Sequence, residues 1–236
     1  MASGLGDPPG AATEAVLVAR AATPAGEIVL RRRGEILELV VNGTFAMDSG
    51  ETSTEAALAT AALARHGHPA AVLIGGLGLG FTAAAVLCDV RVAHLDIVEL
   101  AAPLRDWARA GLLPAAAAVT SDPRVRLSLG DIADVLAGRI EPQGPWDLIL
   151  LDVDNGPGFL VHEANRRLYE RDGLAAAYAR LRPGGVLTVW SSALAPALFA
   201  ALGRLGEASE TVVRVAREGR EFDYALYAVL RPEATP

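Results

Sequence analysis

Three acids stand where they could do chemistry. Asp152 closes the apolar run Leu148-Ile149-Leu150-Leu151, and Val153-Asp154-Asn155-Gly156-Pro157 follows in a stretch too rich in Gly and Pro for a helix. A carboxylate there attracts the ammonium form of an amine, then accepts a proton as the nitrogen becomes a nucleophile. Asp154 and Asn155 continue the same rim as substrate-binding residues, and His162 farther along the loop is a further candidate for the acceptor pocket. Glu99 ends Leu95-Asp96-Ile97-Val98, where an acid can accept hydrogen bonds from both hydroxyls of a ribose. Asp131 follows Gly130 at the end of a third run, Arg126-Leu127-Ser128-Leu129, and is also placed to cap the next helix. Ahead of all three, Ala71-Val72-Leu73-Ile74 breaks into Gly75-Gly76-Leu77-Gly78-Leu79-Gly80, a strand–glycine loop–helix pattern that lets a nucleotide approach the backbone closely.

The loop reads in two ways. Gly78-Leu79-Gly80-Phe81-Thr82-Ala83 satisfies the G-x-G-x-x-A dinucleotide fingerprint, whereas Gly76-Leu77-Gly78-Leu79-Gly80 gives the G-x-G-x-G form typical of S-adenosylmethionine-type donors. The strand ends at Ile74, so the dinucleotide match starts three residues late, and the second form fits the register better. The chain contains no lysine, and all 21 basic residues are arginine. A Walker lysine, a Schiff-base lysine and a tyrosine–lysine dehydrogenase pair are therefore excluded. His66, His68, His94 and His162 are dispersed and give no metal-ligand spacing, so no metal is expected.

The elements that must hold these residues follow from pattern. The 236 residues are 52% hydrophobic, enough for one core plus a small appendage. Residues 1–25 read as a flexible leader, without the basic start and apolar block of a secretory signal. Residues 26–69 hold a small two-stranded β ribbon, over 27–31 and 36–41, and then an alanine-rich helix. Thr52-Ser53-Thr54-Glu55 has the form of a capping box for that helix. From 70 to 236, strand-like runs over 71–75, 93–98, 125–129, 148–152 and 186–190 alternate with helical stretches, including one over 165–181. This predicts an α/β domain with a mainly parallel, doubly wound sheet. Runs over 211–216 and 224–230 flank Glu218-Gly219-Arg220 and predict a terminal antiparallel hairpin.

No apolar run is long enough for a membrane span. Cys88, the single cysteine, is expected in the core of an apolar helix and fits a reducing, cytoplasmic interior. The Ala- and Arg-rich, lysine-free usage points to a GC-rich bacterial genome. A net charge of -7 speaks against nucleic acid as the partner and for a small cationic or neutral acceptor.

Five parallel strands closed by a hairpin are the plan of the methyltransferase-type Rossmann fold. The order GGxGxG, strand-end Glu99, Gly130-Asp131, Asp147–Asp152 and Leu181-Arg182-Pro183-Gly184-Gly185-Val186-Leu187 resembles the spermidine synthase family of aminopropyltransferases. The resemblance covers about 27–190. It implies Asp152 as catalytic base, Glu99 as ribose ligand, Asp131 as adenine ligand, the loop glycines as cofactor contacts and a small amine as acceptor. It leaves room for a homodimer. Two departures rewrite the polyamine half. Gly78 stands where the family's glycine loop has an Asp that holds the aminopropyl ammonium, and Ser53-Thr54 replaces its Tyr-Gln pair. The family's second substrate acid aligns with Asn155, beside Asp154. The implied donor is S-adenosylmethionine or its decarboxylated form, and the implied reaction is methyl or aminopropyl transfer. A non-catalytic nucleoside-binding or dimerising module is the competing reading.

Overall fold

In the computed structural model the described residues are 14–217 and 219–233. They form two sheets. The smaller is a four-stranded antiparallel meander of β1 (Val16–Thr23), β2 (Gly26–Arg33), β3 (Ile36–Val41) and β4 (Thr44–Asp48). The expected two-stranded ribbon is therefore half of the sheet. The expected leader falls partly on 1–13, outside the described residues, and its remainder contains β1. That strand is held by pairing from Val16 with Arg32 to Thr23 with Gly26, not by an apolar pattern of its own. Three strands or more with one apolar face are what such a unit needs to be stable.

Helix α1 (Ser53–Leu63) leads into the larger sheet, which contains β5 (Ala71–Gly75), β6 (His94–Glu99), β7 (Val125–Leu129), β8 (Trp146–Leu151), β9 (Leu181–Ser191), β10 (Glu207–Arg217) and β11 (Arg220–Leu230). Their order is β10-β11-β9-β8-β5-β6-β7. The five from β7 to β9 run parallel, and β11 and β10 close the edge antiparallel. Strand order reverses between β5 and β8, and ligands of open α/β sheets bind outside the carboxyl ends of the strands at such a point.

Both faces of the sheet are buried, which is why its central strands read as near-continuous apolar runs. Period-two alternation divides them between two cores. Val72 and Ile74 of β5 and Leu148 and Leu150 of β8 face a core shared with α1, α2 (Phe81–Leu87) and α4 (Pro114–Ser121). Leu73, Ile149 and Leu151 face the other core, built with α5 (Ile132–Leu136), α7 (Arg171–Ala179) and α8 (Pro196–Leu202). Helix α3 (Ala102–Arg109) lies after β6 and packs on α4.

Three local expectations change, and one helix was not foreseen. The single helix over 165–181 is a turn at Glu163–Asn165, α6 (Arg166–Tyr169) and α7, divided at Glu170, whose backbone is extended. Helix α4 carried no amphipathic signal in its run of alanines. Cys88 is exposed, because α2 ends at Leu87 and the next residue turns to solvent. The capping box is not made: Thr52 makes no side-chain cap to α1.

Candidate active site

The glycine loop, the ends of β6, β7 and β8, and one face of the small sheet enclose a cleft of about 180 Å³. Its walls include Gly76, Gly78, Glu99, Gly130, Asp131 and Asp152. Ile28, Leu39 and Met47 of the small sheet supply an apolar wall opposite. The small sheet thus closes one side of the cleft.

The loop can follow this path only with glycine at its closest approaches. Gly76 has φ +95°, and a Cβ there would lie 2.2 Å from the carbonyl oxygen of Asp152. At Gly78 a side chain would meet Sδ of Met47 at 2.6 Å. Gly75 and Gly80 are packing positions behind the wall, against Ile132 and Val153 and against the backbone of Ala116.

Glu99, buried to 6% exposure, is tied to this loop directly. It accepts the N–H of Leu77 at 2.8 Å and of Ala101 at 2.7 Å, one on each oxygen. Burial pushes its carboxyl up, against the lowering effect of those backbone donors. The backbone N–H groups of Gly78 and Leu100 act on the same carboxylate. Asp131 caps α5 by accepting the N–H of Ala133 at 2.8 Å, and its other oxygen pairs with Arg167.

Asp152 follows β8 and accepts the hydroxyl of Thr82, in the first turn of α2, at 2.5 Å. Burial raises its carboxyl above the ordinary carboxylate range, and the Thr82 bond only partly offsets this. Raised carboxyls in a cleft are poised to exchange a proton. Asp154 was expected to read substrate, but its carboxylate is taken up by the loop. It accepts from the N–H groups of Asn155, Val161 and His162 and from Nδ2 of Asn165. Asn155 is a junction. Its Nδ2 donates to the carbonyl of Phe45 in β4, and its own carbonyl accepts from the hydroxyl of Ser192. His162 lines the cleft. Tyr169 is core, and its buried hydroxyl has no hydrogen-bond partner among the described residues.

Glu55 is a further member of the site. It is 6% exposed and lines both this cleft and a second cavity of about 450 Å³ between the small sheet and the terminal hairpin. Met47, Asn155 and Trp190 share that dividing wall. Burial, then the neighbouring charge of Asp152, raises the Glu55 carboxyl to about 7. Its only sequence signal, the Thr-x-x-Glu spacing, pointed to a cap. Among the described residues no cluster of three His, Cys, Asp or Glu side chains is placed to hold a metal ion.

No protein-family model matches the chain. Putrescine N-methyltransferase 3 of Nicotiana tabacum is 37% identical over 122 residues, which is 51% of this chain and 29% of that protein. Polyamine aminopropyltransferase 2 of Pseudomonas aeruginosa is 30% identical over 156 residues, 64% of this chain and 42% of that one. The match thus spans less than half the length of these curated relatives. Among solved structures, a spermidine synthase in complex with the transition-state analogue AdoDATO superposes with a TM-score of 0.77 at 16% identity, over 92% of this chain and 74% of that one. Spermidine synthase from Thermotoga maritima gives 0.74 at 16% identity, over 92% and 72%. In fold the chain is similar to spermidine synthase, and about half to two thirds of its sequence is similar to putrescine N-methyltransferases and polyamine aminopropyltransferases.

Proposed function

We propose that the chain is a transferase that takes a sulfonium nucleoside, S-adenosylmethionine in the first place, and alkylates a small amine. The observation that carries this reading is Asp152. It is a desolvated carboxylate at the switch point of the sheet, facing the same cleft as the bare backbone of Gly76 and Gly78 and the carboxylate of Glu99. These residues fit the nucleoside. Gly76 and Gly78 admit it against the backbone, Glu99 receives its ribose and Asp131 stands at the base end. Bound there, the donor supplies an electrophilic carbon next to a positive sulfur, so the protein's work is positioning and proton removal. Asp152 attracts the acceptor's ammonium group and takes its proton. The small sheet excludes water from the opposite side.

Methyl transfer is the better-supported form. At Gly78, where the family's loop has an aminopropyl-binding Asp, Met47 occupies the space that such a side chain would need. Intact S-adenosylmethionine carries a carboxylate that an acid at this point would repel. Relatives named for methyl transfer and for aminopropyl transfer both match the chain, so the second donor stays in the test. That test is a mass-spectrometric screen of amines incubated with the full chain and each donor. A gain of one methyl group supports the proposal, and a gain of one aminopropyl group selects the decarboxylated donor. Nucleoside binding without turnover of any amine would favour a non-catalytic module, and modification of RNA or DNA would refute a small acceptor.

A further inference from the structure

We infer that Glu55 is the proton exit of the transfer centre, taking the proton that the acceptor gives to Asp152 and passing it to solvent through the second cavity. The inference rests on the transfer reading above and adds a residue that the reading does not need. Transfer to an ammonium acceptor releases one proton. The R–NH3⁺ group gives a proton to Asp152, and the freed lone pair forms the N–C bond. The C–S bonding pair stays on sulfur, and the product is R–NH2⁺–CH3 beside a neutral thioether. Asp152 is then protonated and must be emptied before the next turnover.

Glu55 is the group placed to empty it. Asp152 lines the first cleft only, whereas Glu55 lines both cavities. The second has about 450 Å³, room for a file of water molecules. Glu55 also leaves its local role unused. It stands three residues after Thr52, yet the reciprocal cap is not made, and its carboxylate receives the hydroxyl of Thr54 at 2.6 Å. No ion pair joins it to an arginine among the described residues.

The charges around it are named readily. Asp152 and Glu51 both oppose its ionisation. Across the second cavity, Arg31 and Arg33 of β2 pair with Glu38 of β3. Asp48 of β4 accepts the N–H groups of Gly50 and Glu51, and Arg220 of β11 stands on the cavity's far side. A carboxyl raised to about 7 in this setting exchanges its proton at neutral pH, which an ordinary glutamate does not.

The test is a pH titration of the full chain by infrared difference spectroscopy, with Glu55→Gln as reference. Multiple-turnover transfer from S-adenosylmethionine follows, to putrescine or to the amine that the acceptor screen returns. The relay predicts a protonated-carboxyl band that the parent loses near neutral pH and that Glu55→Gln lacks. The variant should bind methylthioadenosine as the parent does but transfer roughly 10- to 100-fold more slowly at neutral pH. Its pH profile should lose the step near 7, and Glu55→Asp should recover part of the rate. A Glu55 midpoint in the ordinary carboxylate range overturns the relay, as does a Glu55→Gln rate and pH profile equal to the parent's. Either result leaves the transfer reading intact. If the parent itself transfers to no amine, both readings fall together.

Discussion

Replacing Glu55 with glutamine should stabilise the protein at about pH 8 and leave it nearly unchanged at about pH 4. Burial and the charge of Asp152 raise this carboxyl from its ordinary value of 4.5 to about 7. A carboxyl whose folded value lies above its unfolded one holds its proton more tightly in the folded state. Its effect is absent below the unfolded value, and stability then falls as pH rises through the window from 4.5 to about 7 and stays lower above it. At 1.36 kcal/mol per pH unit that window corresponds to ~3 kcal/mol at most. The side chain is almost fully buried, so solvent does little to reduce this. Glutamine keeps the shape and removes the charge, and it also lowers the cost of ionising Asp152, which acts in the same direction. Urea unfolding of both proteins, followed by tryptophan fluorescence between about pH 4 and about pH 8, reads the difference directly. The advantage of the variant should grow by ~2–3 kcal/mol between about pH 5 and about pH 8. A difference that stays flat over that range would show that Glu55 ionises as an exposed glutamate does.

Other perturbations separate the parts of the site. Glu99→Ala leaves the N–H groups of Leu77 and Ala101 without their acceptor. It should cost ~2–5 kcal/mol in urea unfolding and weaken methylthioadenosine binding at least ~10-fold by calorimetry. Gly76→Ala sets a Cβ 2.2 Å from a backbone oxygen at φ +95° and should destabilise by ~2–4 kcal/mol. Gly67→Ala, with nothing within 4 Å, should stay within ~0.5 kcal/mol. Asp154→Ala removes the acceptor of four loop donors. Limited proteolysis should then cut within 156–164 faster, while methylthioadenosine affinity changes by less than ~3-fold.

The larger sheet was legible because burial on both faces makes its strands apolar throughout, as in Leu148-Ile149-Leu150-Leu151. The acids at strand ends followed from the same fact: a parallel sheet brings the residues after β6, β7 and β8 to one edge, so Glu99, Asp131 and Asp152 converge. The small sheet was only half legible. Val16–Thr23 and Thr44–Asp48 carry Ala, Arg and Thr in no strict alternation and take their conformation from their neighbours. Local rules misled where tertiary contacts outweighed them. Thr52-x-x-Glu55 has the spacing of a cap, yet Glu55 is turned toward the cleft. Asp154 sits on the rim as expected, but the backbone donors of its own loop reach it. Met47, which fills the space above Gly78, comes from a different sheet and left no trace in the motif.

The proposed function requires that the cleft between the glycine loop and Asp152 hold a sulfonium nucleoside for transfer to an amine. Calorimetric titration of the full chain with S-adenosylmethionine, methylthioadenosine and NAD, in parent and Glu99→Ala, tests it most directly. Both sulfur nucleosides should bind the parent and bind the variant at least ~10-fold more weakly, and NAD should give no response. Tight NAD binding with silence toward both sulfur nucleosides would contradict it.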